Sequence, residues 1–120
     1  VLLGETFVGQ PKSGGIPLTH ESHGVGSLAF GQDGTLLVTT GDNASYSSTD
    51  GGSAAETYWQ SAIDDGIMPA KENVGSFRSQ MVDSLAGKVL RLDPDTGNGL
   101  PSNPFYNAAA PRSAKSRVWA

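Results

Sequence analysis

Two apolar runs meet at Gly31-Gln32-Asp33-Gly34, and this junction limits the fold more than any other stretch of the chain. Residues 27–30 (SLAF) and 35–40 (TLLVTT) are rich in apolar and β-branched side chains. An Asp-Gly pair between such runs marks an antiparallel hairpin, because Gly accepts positive φ and Asp bonds its own backbone. A two-residue turn centred on Gln32-Asp33 places Phe30 opposite Thr35, Leu28 opposite Leu37 and His23 opposite Asp42. Directly opposed side chains have Cβ atoms about 4.5–5.5 Å apart. A carboxylate at that distance holds an imidazole in one tautomer, so His23 and Asp42 read as a general base and its orienting acid at the open end of a sheet. A bulge between them would move the register by one residue. The plainer reading is a hydrogen-bonded pair that fastens a strand end.

Elsewhere, short apolar segments alternate with Gly and Pro turns. Residues 1–9 and 87–93 read as strands, and 117–120 as the start of another. Residues 11–19 read as a connecting loop, 94–99 as a sharp turn and 101–105 as an extended loop. Between Asn43 and Ser84 the pattern dissolves, with a short helix expected within 54–63 and another ordered piece at 77–85. A connection this long in a compact domain is usually functional or a lid. It follows Asp42 directly and is therefore expected to lie over the paired residues. With 16 Gly, 7 Pro and only 17% charged residues, the composition suits a turn-rich, all-β fold, either sandwich or propeller. Val1-Leu2-Leu3 and Val118-Trp119-Ala120 place apolar strand-like runs at both ends, so residues 1–120 read as one partial domain of a longer polypeptide.

A net charge of −4 with eight scattered Lys and Arg disfavours nucleic acid, whose phosphates need clustered cations. No apolar run approaches the roughly 20 residues of a membrane-spanning helix. Without Cys there is no disulfide and no thiolate zinc site. His20 and His23 with Asp42 could supply three metal ligands, but no helical pattern surrounds them and no metal is assigned. Asp93-x-Asp95-x-Gly97 opens like a calcium loop but lacks the closing Glu, and reads better as a turn. Asp42, Asn43 and Asp50 offer oxygens without a discriminating spacing. Lys88 and Arg91 are expected on a solvated or paired strand face. Tyr46, Tyr58 and Trp59 either stack on a sugar ring or anchor the long loop by burial.

Three stretches together carry a resemblance: HGVGSLAFGQDGTLLVTTGD (23–42), SLAGKVLRLD (84–93) and LPSNPF (100–105). In order and spacing they resemble the soluble pyrroloquinoline quinone (PQQ)-dependent glucose/sorbosone dehydrogenase family, over roughly residues 18–120. The insertion between Asn43 and Ser84 departs from most of that family, and looks like the branch found in large secreted proteins and fungal pyranose dehydrogenases. The resemblance implies one to two blades of a six-bladed β-propeller, in a periplasmic or extracellular protein. It implies that His23 takes the C1 hydroxyl proton of an aldose and contacts PQQ, while hydride passes to the cofactor and a lactone forms. Asp42 would orient His23, Ca²⁺ would clamp the cofactor, and an external electron acceptor would reoxidise it. Most calcium ligands, the basic residues for the PQQ carboxylates and the remaining blades are expected outside this stretch. The alternative is a non-catalytic propeller that binds carbohydrate or protein, since fold does not fix function.

Overall fold

The computed structural model describes residues 2–4, 15–47 and 49–120. Three antiparallel strands, β1 (Val25–Phe30), β2 (Leu36–Thr40) and β3 (Lys88–Leu92), form one sheet in the order β1-β2-β3. Side chains in β2 and β3 alternate between buried and half-buried, as the period-2 geometry of a strand requires. Leu36, Val38, Leu90 and Leu92 thus share one face and pack with Leu85 and Val118, while Leu2, Leu3, Ile16 and Ala114 close over them. Removing such side chains from water stabilises the fold by about 1.5–3 kcal/mol each.

The hairpin forms where the turn chemistry places it, but its register differs from the two-residue expectation. Asp33 Oδ1 accepts from the Thr35 hydroxyl at 2.7 Å and the Thr35 amide at 3.2 Å, drawing Thr35 into the turn. The Gly31 amide donates to Thr35 O (2.8 Å), leaving a three-residue loop, Gln32-Asp33-Gly34, that ends on Gly34 at φ +79°. Phe30 therefore pairs with Leu36 and Leu28 with Val38, not with Thr35 and Leu37. Between Leu28 and Val25 a bulge shifts the register back, so that Val25 meets Thr40. Thr39 Oγ1 accepts the Ser27 amide at 2.7 Å there, and a Cβ on Gly26 would lie 2.4 Å from the same oxygen. The longer loop and the bulge cancel, and the open end of the hairpin has the pairing that a plain two-residue turn would give.

Leu28 and Phe30 lie opposite core-facing residues yet are 68% and 73% exposed, so the apolar face runs uncovered across β1. Beyond β3, residues 118–120 pair with its other side: Val118 bridges Leu90, the Trp119 amide donates to Val89 O (2.8 Å) and the Val89 amide to Ala120 O (2.6 Å). Arg117, expected to begin this strand, instead ends the short helix α2 (Ala114–Arg117), whose first turn is capped by Ser113 Oγ. Of the strand expected at 1–9, residues 1 and 5–9 lie outside the described residues, and residues 2–4 are not in a strand. The insertion holds 3-10 turns at Ser53–Ala55, Ala70–Glu72 and Gly75–Gln80 and one helix, α1 (Trp59–Asp64). The helix expected within 54–63 is thus a turn followed by α1, and the piece expected at 77–85 begins at Gly75 and ends at Gln80. Among the described residues no helix is long and apolar enough to cross a membrane.

Candidate functional site

At the open end of the hairpin, the Gly41 amide donates to Gly24 O (2.7 Å) and the Asn43 amide to His23 O (3.0 Å). These bonds hold the two chains side by side one step beyond β1 and β2. His23 Nδ1 lies 3.1 Å from Asp42 Oδ1. The same carboxylate oxygen accepts the Ala44 amide at 3.1 Å, which fixes its direction. An ionised carboxylate only accepts, so a neutral imidazole paired with it carries its proton on Nδ1 and its lone pair on Nε2. The side chains are 49% and 27% exposed, open to a reactant and to solvent.

The backbone here is held in unusual conformations. His23 has φ +54° and Asn43 φ +58°, each costing on the order of 1–3 kcal/mol and persisting only where its surroundings enforce it. Gly41 allows the close approach, because a Cβ there would stand 2.1 Å from His23 O. The result is an open groove of about 580 Å³ lined by His23, Gly24, Gly26, Thr39, Thr40, Gly41 and Asp42. Among the described residues none from the insertion lines it, so the expected lid is not part of the described wall. Asn43 is buried, with its Nδ2 donating to Gly41 O (3.0 Å) and its Oδ1 without a partner among the described residues.

His20 is not brought to this pair. Its Nδ1 lies 3.0 Å from Ser22 Oγ, and its ring stands edge-on to Tyr46 at 5.4 Å. Among the described residues no group of three or more His, Asp or Glu is placed to hold a metal ion. Asp50 is buried, with its two oxygens accepting the Ser45 and Gly52 amides at 2.6 and 2.7 Å. Asp93 Oδ1 accepts from the Asp95 amide and from the amide and hydroxyl of Thr96, as a turn residue does. The Thr96 bonds pull its carboxyl below the usual range. Tyr46 and Tyr58 are exposed, not buried as anchors.

Several charged residues fall where the sequence pattern did not place them. Lys88, expected on a solvated or paired face, is buried with Nζ donating to Ser79 O (2.6 Å) and Ala86 O (2.9 Å). Lys88 belongs to the core-facing set of β3, and burial pulls its ammonium pKa down. Glu72 is buried within the insertion and accepts from Ser84 Oγ at 2.7 Å; burial pushes its carboxyl up against the opposing pull of that bond and of Arg78. Arg78 is fully buried against Glu56, at 2.9 Å. Nothing local in the polar insertion marks Arg78, since its partners lie up to 59 residues away.

A more enclosed cavity of about 480 Å³ lies between the segment after α1 and α2, near Met68, Glu72 and Arg117. It contains neither His23 nor Asp42. The hairpin groove is the stronger candidate because it presents an accessible imidazole already paired to an acid. Comparison with protein-family models, with curated proteins and with solved structures finds no match to this chain.

Proposed function

We propose that this chain supplies the general base of a PQQ-dependent sugar dehydrogenase, acting at C1 of an aldose. The carrying observation is the 3.1 Å contact between His23 Nδ1 and Asp42 Oδ1 at the mouth of an open groove. With the proton fixed on Nδ1, His23 Nε2 is free to take the C1 hydroxyl proton, and Asp42 stabilises the imidazolium that forms. PQQ would supply the hydride acceptor. The described groove lining fits the base half of this chemistry but not the anchoring of a tricarboxylate cofactor, since among the described residues it offers no Lys or Arg. Lys88, Arg78 and Arg91 are engaged elsewhere with carbonyls or carboxylates. We therefore assign the residues that hold PQQ and Ca²⁺ to parts of the exported protein away from this groove. The antiparallel series β1-β2-β3, continued by residues 118–120, is the arrangement a four-stranded propeller blade has, and supports the propeller reading.

The test is dye reduction by the full-length polypeptide with PQQ, Ca²⁺ and a panel of aldoses. His23→Ala should lower the rate by about two to four orders of magnitude with the fold intact. Unchanged dye reduction in that variant refutes the assignment. A second reading, a carbohydrate-binding module, is favoured by the exposed rings of Tyr46 (67%) and Tyr58 (49%) in the insertion that follows Asp42. Glycan binding with no oxidation of any aldose would select it.

A further inference from the structure

The described residues of the insertion add nothing to the groove wall, yet the insertion places a fully buried guanidinium behind the His23–Asp42 pair. Arg78 Nη1 donates to Asp42 O (2.9 Å) and to Thr19 Oγ1 (3.0 Å), Nη2 to Glu56 Oε2 (3.0 Å), and Nε to Glu72 O (3.1 Å). Thr19 Oγ1 donates onward to Asn43 O at 2.7 Å. One cation thus grips the segment leading into His23 and, directly or through Thr19, the carbonyls of Asp42 and Asn43. Glu56, buried with it, supplies the compensating charge from within the insertion.

The exposed pair needs such a grip. A single hydrogen bond between side chains open to solvent contributes about 0.5–1.5 kcal/mol, too little to hold the two in one geometry. The positive φ angles at His23 and Asn43 work against that geometry by a larger amount. A buried, planar guanidinium with fixed bond directions can over-determine the backbone, and its burial is acceptable only because its donors are matched by acceptors. The neighbouring chain is seated just as closely, since a Cβ on Gly75 would lie 2.3 Å from Asp50 O.

We propose that Arg78 is the positioning residue of this site: it holds the Asp42 carbonyl directly and ties it, through the Thr19 hydroxyl, to the segment leading into His23, and so keeps Asp42 on Nδ1 of His23. The long insertion is then a buttress built behind the base, not a cover over the groove. The consequence for turnover rests on the catalytic reading above, but the geometry does not.

The experiment is ¹⁵N imidazole spectroscopy of His23 in the full-length polypeptide, without substrate, comparing wild type with Arg78→Lys and Thr19→Val. Wild type should show His23 mainly as the Nδ1–H tautomer, with both variants moved toward the distribution of a free imidazole. In Arg78→Lys, kcat for dye reduction should also drop about tenfold with KM little changed. If Arg78→Lys does not fold, Thr19→Val decides, because it removes one hydroxyl and leaves the guanidinium in place. A folded variant of lower melting temperature whose His23 tautomer matches wild type overturns the proposal. A tautomer that follows Arg78 in a protein oxidising no aldose keeps the proposal and removes the dehydrogenase reading.

Discussion

Gly41→Ala should open the site end of the hairpin, and its cost follows from the contacts. The added Cβ would meet His23 O at 2.1 Å, His23 C at 2.6 Å and Gly24 O at 2.9 Å. These are all backbone atoms, so no side-chain rotation relieves the clash and the two chains must part by more than an ångström. Two cross-chain bonds depend on that approach, Gly41 N to Gly24 O and Asn43 N to His23 O. Each contributes about 0.5–1.5 kcal/mol net. Backbone displacement adds about 1–3 kcal/mol. The total is about 2–6 kcal/mol, concentrated at the site. Gly34→Ala is the control: nothing lies within 4 Å of its added Cβ, and only its φ of +79° resists, at about 1–2 kcal/mol. Urea melts should rank Gly41→Ala as the more damaging, and hydrogen exchange should show the Asn43 amide losing protection in that variant alone. Equal costs, or an Asn43 amide as protected as in wild type, would refute the close-approach argument.

Phe30→Lys should suppress self-association of the chain in light scattering at a folding cost below about 1 kcal/mol, because only about a quarter of the ring is buried. Lys88→Met should lower stability by about 2 kcal/mol in a urea melt, since Ser79 O and Ala86 O lose their ammonium donor. Burial raises the folded-state pKa of Glu72 above its unfolded value, so between the two the folded protein holds the extra proton and stability falls as pH rises. Glu72→Gln should flatten the melting temperature across that window, and a pH profile identical to wild type would count against the assignment.

The hairpin was legible because Asp33-Gly34 and the flanking apolar residues act locally, and β3 for the same reason. The His23–Asp42 pairing was also legible, but through two departures that cancel: a loop lengthened by Thr35 joining Asp33, and the bulge at Gly26-Ser27 seated on Thr39. Neither has a signature in a hydrophobic pattern, because both are decided by side-chain oxygens competing for main-chain amides. Arg78 and Glu56 were illegible for a different reason. They are 22 residues apart in a polar stretch without periodicity, and such a pair is found only once the chain has folded. Lys88 shows that strand parity can outweigh residue type: it sits in the same alternating set as Leu90 and Leu92 and is buried with them.

The hairpin is fastened at its far end by another arginine, of a different character. Arg91 reaches the turn through Asp33 Oδ2 at 2.5 Å and lies over the Trp119 ring at 4.9 Å, with Asp33 half open to solvent. Mobile ions screen that outer clasp far more than the enclosed one at Arg78. Added salt should therefore loosen the turn while sparing the histidine end, so that ionic strength becomes a directional lever which unzips this ribbon from its tip.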